Sequence, residues 1–275
     1  MSQNQPKIFF TDLDGTLLNS EKKVTPAMLD ILKQWTDNGN KLVLCSGRAL
    51  DSVTAVMNSL GLGCHGMYLI GCNGSEIYDC EKDELLFRTA LSFPTVALIM
   101  KTAKEYGIHC HTYTDTHIIS PSDTEELRYY RRVIHTPVLF CEDVIPCLDK
   151  EPCKCIAIEI HDPEKLERFR KALLPLVKDQ ATLLYSNPRY LEIFNISAGK
   201  GSSVVRLCDL LHIPLENSLA AGDEANDISM LEAAGTGIAM KNAKEEVKKA
   251  AAVITADDNN HDGLVPVLQQ VLINP

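Results

Sequence analysis

Two hydrophobic periods share the first sixty residues. Short apolar runs, Lys7-Ile8-Phe9-Phe10 and Lys41-Leu42-Val43-Leu44-Cys45, have the length and composition of buried strands. The stretches from Pro26 to Asn38 and from Leu50 to Leu60 instead repeat their apolar positions at helical spacing. Thr25-Pro26 places a capping residue before a first-turn proline, and Asn38-Gly39 supplies a stop. The order βαβα predicts a parallel sheet. The alternation returns late in the chain, with a helix expected over Lys200 to Leu211, a strand at Ser218-Leu219-Ala220-Ala221-Gly222, a helix from Glu224 to Ala233, and strands in Thr236 to Met240 and Ala252 to Thr255.

Between about residues 84 and 193 the pattern changes. Strand-like runs cluster at 154–160, 182–186 and 190–194, around helical stretches near 94–106 and 163–174, with prolines between them. Sequential grouping of this kind indicates an α+β unit rather than more parallel repeats. The chain is therefore expected to be an α/β protein: a doubly wound parallel-sheet core built from residues 1–83 and 194–275, carrying an α+β cap inserted at 84–193.

Composition narrows the functional classes. The net charge of −10, from 37 acidic and 27 basic residues, leaves no excess to neutralise a nucleic-acid backbone. No run approaches the length of a membrane span, and the start lacks a signal-peptide core, so the expected compartment is the cytoplasm with no membrane partner. The ten cysteines are scattered through apolar runs without a CxxC, the closest pair being Cys153-x-Cys155, which predicts reduced core thiols.

Candidate chemistry gathers at strand ends, where parallel sheets bind ligands. The first strand runs into Thr11-Asp12-Leu13-Asp14-Gly15-Thr16. Two carboxylates one residue apart before a glycine suit a loop that turns both toward one hard cation or substrate. An EF-hand is excluded, because glycine is fourth rather than sixth and no glutamate closes the loop. The second strand ends at Cys45-Ser46-Gly47-Arg48, a hydroxyl and consecutive amides at a helix start suited to phosphate. A third cluster, Gly222-Asp223-Glu224-Ala225-Asn226-Asp227, returns Asn226 and Asp227 to the side of Asp223 one turn later. Lys200 opens a helix between Gly199 and Gly201. Each feature alone has an ordinary structural explanation; the four in one sheet supply the parts of a phosphoryl-transfer site.

In this order, DxDGT, a strand-end serine, a turn lysine and GDxxND resemble the four motifs of the haloacid dehalogenase superfamily. The insert between the second and third motifs is similar to the Cof-type branch with a type-two cap, and Asn73-Gly74-Ser75-Glu76-Ile77 resembles its NGA-x-I segment. The resemblance implies a phosphatase acting on small phosphorylated metabolites such as sugar phosphates. Asp12 would be the nucleophile and Asp14 the general acid and base. Ser46, Gly47 and Lys200 would hold the phosphoryl group, with Arg48 either reaching substrate or pairing with a core acid. It implies Mg2+ held by Asp12, Asp223 and the main-chain carbonyl of Asp14, with Asn226 and Asp227 in support. Phosphomannomutases share the DxDGT start and a similar cap, so a phosphosugar mutase stays open, as does a non-catalytic phosphate sensor on the same scaffold. His109-x-His111 reads as one face of a strand, Trp35 as packing, and Asp257-Asp258-Asn259-Asn260 as a solvated turn, which the resemblance would place close to the rim of the active site.

Overall fold

The computed structural model describes residues 5–132, 134 and 136–273. In chain order the strands are β1 (Ile8–Asp12), β2 (Lys41–Cys45), β3 (Met67–Gly71), β4 (Glu76–Asp79), β5 (Glu84–Arg88), β6 (His109–Tyr113), β7 (Ile118–Ser120), β8 (Val138–Phe140), β9 (Lys154–Ile158), β10 (Ala181–Asn187), β11 (Tyr190–Asn195), β12 (Ser218–Gly222), β13 (Thr236–Ala239) and β14 (Val253–Ile254). The helices are α1 (Pro26–Asp37), α2 (Leu50–Leu60), α3 (Phe93–Glu105), α4 (Glu125–Tyr130), α5 (Pro163–Val177), α6 (Lys200–Leu211), α7 (Ile228–Ala233), α8 (Glu245–Ala250) and α9 (Leu264–Ile273). Among them none is long and apolar enough to cross a membrane.

The chain divides into two compact units, one holding the residues up to Phe87 and from Gly199 onward, the other Arg88–Ala198. Both junctions lie a few residues beyond the 83/84 and 193/194 expected from sequence. The first moves because β5 joins the sheet of the first unit beside β4. The second moves because Asn195–Ala198 stay tied to the insert: Ile196 N donates to Gln180 O at 3.1 Å, Asn195 Nδ2 donates to Ala90 O at 2.7 Å, and the Thr89 and Ser197 hydroxyls lie 3.1 Å apart.

The first unit is built on a sheet of order β14-β13-β12-β1-β2-β3-β4-β5. Strands from β14 to β3 are parallel, and β4 runs antiparallel to β3. All five residues of β1 are buried, which fits a central parallel strand covered on both faces. Trp35 of α1 is wholly buried, packs edge-on against Phe9 and donates its indole N–H to Lys41 O at 2.9 Å. Thr25 caps α1 by accepting from Met28 N, and Pro26 occupies the first turn. Register puts Asp12 level with Cys45, so β1 and β2 deliver their ends to one edge, with β12 alongside.

The second unit has a sheet of order β10-β11-β9-β6-β7-β8. It is antiparallel except where β7 meets β8. One face packs Cys110, Ala157, Leu191 and Ile193 against α3 and α5. The cysteine expectation needs correction here: Cys141 and Cys147 form a disulfide, while the other eight cysteines are free thiols. A short turn of 3-10 helix at Ile145–Cys147 folds back toward the end of β8, bringing the two Cα atoms to 6.7 Å, and neither residue belongs to the buried core.

On the opposite face the two histidines of β6 are buried and bonded to each other. His109 Nε2 lies 2.9 Å from His111 Nδ1, His111 Nε2 2.9 Å from Tyr113 Oη, and Tyr113 Oη 2.8 Å from Tyr130 Oη. Thr124 Oγ1 closes the chain at 3.0 Å from His109 Nδ1. Beside it the buried ammonium of Lys154 meets Glu192 at 2.8 Å. Burial pushes the His109 imidazole down to about 4, against a weaker opposing pull from Glu126. Burial, His109 and Lys154 hold His111 well below the ordinary range. A histidine depressed in the folded state leaves stability intact above its unfolded value and removes it as the pH falls toward the folded value. Between pH 6.5 and about 4, His109 alone should withdraw about 3 kcal/mol. Urea unfolding across this range should show the loss, and His109→Gln should flatten it.

Candidate active site

Asp12 ends β1 in a pocket that leaves its side chain 12% exposed. The chain beyond it folds back in a tight loop, with Leu17 N donating to Asp12 O at 3.3 Å and Leu18 N to Leu13 O at 2.8 Å. Gly15 makes the turn at φ +83°, and a Cβ there would fall 2.3 Å from Asp223 Oδ2. Glycine at this position therefore serves both the left-handed turn and the approach of the second carboxylate.

Lys200 opens α6 and is almost fully buried. Its ammonium donates to Asp12 Oδ1 at 2.5 Å and Asp227 Oδ1 at 2.6 Å. Asp227 Oδ2 accepts the backbone N–H groups of Asp223 and Glu224 at 3.0 and 3.1 Å. These bonds draw Ala225–Asp227 into a 3-10 turn, so α7 begins at Ile228 and not at Glu224 as the sequence suggested. Thr16 Oγ1 donates to Asp223 Oδ1 at 3.1 Å. Burial raises the Asp12 carboxyl well above its usual range despite Lys200, with Asp227 and Asp223 adding to the rise. Asp223 is pushed up to about 7, first by burial and then by Asp227. The two carboxylates beside it hold Lys200 firmly charged against its own burial.

Asp14 is held differently. Arg48 Nε donates to Oδ2 at 3.0 Å and one terminal nitrogen reaches Oδ1 and Oδ2 at 2.7 Å, a forked contact with both oxygens. Lys22 Nζ adds a bond to Oδ1 at 2.6 Å. Burial pushes this carboxyl up, yet Arg48 and Lys22 outweigh it and hold it below the usual range. Of the two partners foreseen for Arg48, the structure shows an acid, Asp14. Lys22 was missed from sequence. It lies in the turn Asn19–Lys23 with a left-handed φ of 60°, and lysine is not a residue that announces such a turn. The asparagine does: Asn19 Oδ1 accepts both Glu21 N and Lys23 N at 3.0 Å.

Ser46 follows β2, 3% exposed, and its Oγ accepts Arg48 N at 3.2 Å. A Cβ on Gly47 would come 3.0 Å from Asn73 Oδ1, so the Ser-Gly turn and the Asn73 turn are closely apposed. Asn73 is buried with a left-handed φ of 55°. Its Oδ1 accepts Asn226 Nδ2 at 3.5 Å, while its own Nδ2 is buried with no partner among the described residues. Asp12, Lys200, Asp223 and Asp227 thus form one set of contacts and Asp14, Ser46, Gly47, Arg48, Asn73 and Asn226 a second, both within the same unit.

Carboxylate oxygens of Asp12, Asp223 and Asp227 all lie within 4.8 Å of one another. Three carboxylates face a single ammonium, and an all-oxygen donor set suits a hard divalent cation such as Mg2+. Asp227 already has both oxygens engaged, which leaves Asp12 and Asp223 as the carboxylates open to an ion. The Asp14 carboxylate lies outside this cluster, turned to Arg48.

A family profile described as haloacid dehalogenase-like hydrolase matches residues 9–268. The chain is 28% identical over 291 residues to the 5-amino-6-(5-phospho-D-ribitylamino)uracil phosphatase YwtE of Bacillus subtilis (strain 168), covering 97% of this chain and 98% of that protein. It is 27% identical over 277 residues to the pyridoxal phosphate phosphatase YbhA of Escherichia coli (strain K12), covering 97% and 99%. A crystal structure of a haloacid dehalogenase-like hydrolase from Bacteroides thetaiotaomicron superposes with a TM-score of 0.88 at 27% identity, covering 97% of this chain and all of that one.

Removing the central cation tests the charge balance. Lys200→Met strands two buried carboxylates and should cost about 3–5 kcal/mol of stability in urea unfolding at neutral pH. The deficit relative to the unaltered protein should shrink on acidification, as the stranded carboxyls take up protons.

Proposed function

The chain belongs to the haloacid dehalogenase-like hydrolases, and from that premise we propose that it is a Mg2+-dependent phosphatase of small phosphate monoesters, sugar phosphates foremost, working through a phosphorylated Asp12. The observation that carries this reading is the meeting of Asp12 with Lys200 and Asp223 at the carboxyl edge of the sheet, with Asp14 two residues on but held apart by its own cations.

The free oxygen of Asp12 attacks phosphorus and the ester oxygen leaves, taking a proton from Asp14. Water then attacks the phosphorus of the acyl phosphate, Asp14 takes the proton back, and inorganic phosphate departs with Asp12 restored. Lys200 fixes one oxygen of Asp12, orienting the other. Ser46 and the Gly47 amide face the transferring oxygens. Asp12 and Asp223 would hold Mg2+, whose positive charge would offset the negative charge on the phosphoryl oxygens. Arg48 fills both oxygens of Asp14, so a proton can reside there only once the guanidinium shifts. Substrate anions are the natural competitor for that guanidinium.

The two relatives act on a ribityl phosphate and on pyridoxal phosphate by name, and both are small monoesters of alcohols. Breadth across such compounds is expected here. Phosphate release from p-nitrophenyl phosphate and a panel of sugar phosphates should require Mg2+ and fall at least about a thousandfold in Asp12→Asn. Turnover that survives in the mutant, or that needs a bisphosphorylated sugar activator, would overturn the proposal.

A further inference from the structure

The run 257–260, expected to be a solvated turn, is tied together with Asp262 to the loop that carries Asp12 and Asp14. Asn259 Nδ2 donates to Leu18 O at 2.8 Å. Its backbone N–H donates to Asn242 Oδ1 at 3.2 Å, and Asn242 Nδ2 donates in turn to Gly15 O at 2.8 Å. Asn260 Oδ1 accepts Ser20 N at 2.9 Å, and Asp262 accepts the hydroxyl of Thr25, the residue that caps α1. Residues about 220–240 positions away in sequence thus hold the segment from Gly15 to Thr25 at four points, three on its backbone and one on the Thr25 hydroxyl.

The latch is itself firm. Asn260 N donates to Asp258 Oδ1 at 2.9 Å, Thr255 Oγ1 to Asp257 O at 2.6 Å and Gly263 N to Asp258 O at 3.1 Å. A Cβ on Gly263 would fall 2.0 Å from Asp257 O, so the segment closes on itself with no room for a side chain there.

Leu17 and Leu18 spend their amides on the inside of the catalytic loop, while the Gly15 and Leu18 carbonyls accept from Asn242 and Asn259. Leu18 also makes a backbone bridge with Asp14. Holding Leu18 from outside therefore holds Asp14 from behind, and holding Ser20 fixes the turn from which Lys22 reaches the Asp14 carboxylate.

We propose that Asn242 and Asn259, assisted by Asn260, are positioning residues that set the place of Asp14 relative to the substrate. Their catalytic consequence rests on the phosphatase reading; their hold on the loop does not. Asp14 matters most when the leaving group is a basic alkoxide and least when it is an aryl oxide that departs without a proton. A displaced Asp14 should therefore depress one class of ester selectively.

The test compares the full chain with Asn259→Leu, and with the near-isosteric Asn259→Asp, which keeps the shape but loses the donor to Leu18 O. On a hexose 6-phosphate, kcat should fall about 10–100-fold with KM within about threefold, and on p-nitrophenyl phosphate kcat should fall less than about threefold. Amide hydrogen exchange in peptides spanning 12–23 should quicken about tenfold, with peptides over 41–60 unchanged. Unchanged kcat on the sugar phosphate, equal losses on both esters, or exchange that quickens equally across 41–60 would overturn the proposal. Should the unaltered protein hydrolyse neither ester, the phosphatase reading fails, and exchange over 12–23 alone decides the latch: unaltered exchange in both variants overturns it.

Discussion

The buried ammonium of Lys200 is the interaction on which the rest of the site depends. It joins the end of β1, through Asp12, to the turn after β12, through Asp227. Two adjacent buried carboxylates would repel each other or take up protons, and a buried lysine would shed its own. Placed together, each makes the others' charge tolerable. Asp227 spends its second oxygen on two backbone amides, which shapes the turn presenting Asp223. One cation thus anchors Asp12 and, through Asp227, the turn that presents Asp223.

Charge is divided unevenly between the two acids of the DxD motif. Asp12 has one ammonium in a nearly closed pocket, whereas Asp14 is gripped by a guanidinium and a more exposed lysine. Two residues of identical chemistry, two positions apart, are separated by environment into roles a two-step displacement can use. β1 ends at Asp12, so Asp14 lies beyond the pleat in the loop, where the chain turns at Gly15 and Arg48 takes its carboxylate.

Much of this was legible in the sequence. Short apolar runs against helical periods located the parallel strands, and Thr25-Pro26 located the start of α1, because strand burial and first-turn capping are local rules. The residues gathered around Asp12 and Asp14 were legible as a group because they sit at strand ends in fixed local patterns. What escaped depends on long-range contact. Lys22 carries no local mark of its left-handed backbone, and Asn259 looks like part of any polar turn until its partner at Leu18 is known. The Cys141–Cys147 disulfide depends on a short helical turn that composition does not reveal. The junctions of the insert were misplaced because β5 and the residues after β11 look like strand or linker alike, and only pairing decides to which unit they belong.

The ends of the insert are fastened to each other by the Asn195–Ala90 and Thr89–Ser197 contacts. For the ribosome this means that β1 emerges long before its partner β12, with the whole second unit synthesised between them. A free loop of that length would make the β1–β12 pairing slow, since contacts distant in sequence must first meet the entropy of closure. Once the insert has folded with its two ends together, the core meets only a short link between Phe87 and Gly199. An insert clasped in this way can grow, shrink or be exchanged over evolutionary time while the sheet of the first unit continues to find its own register.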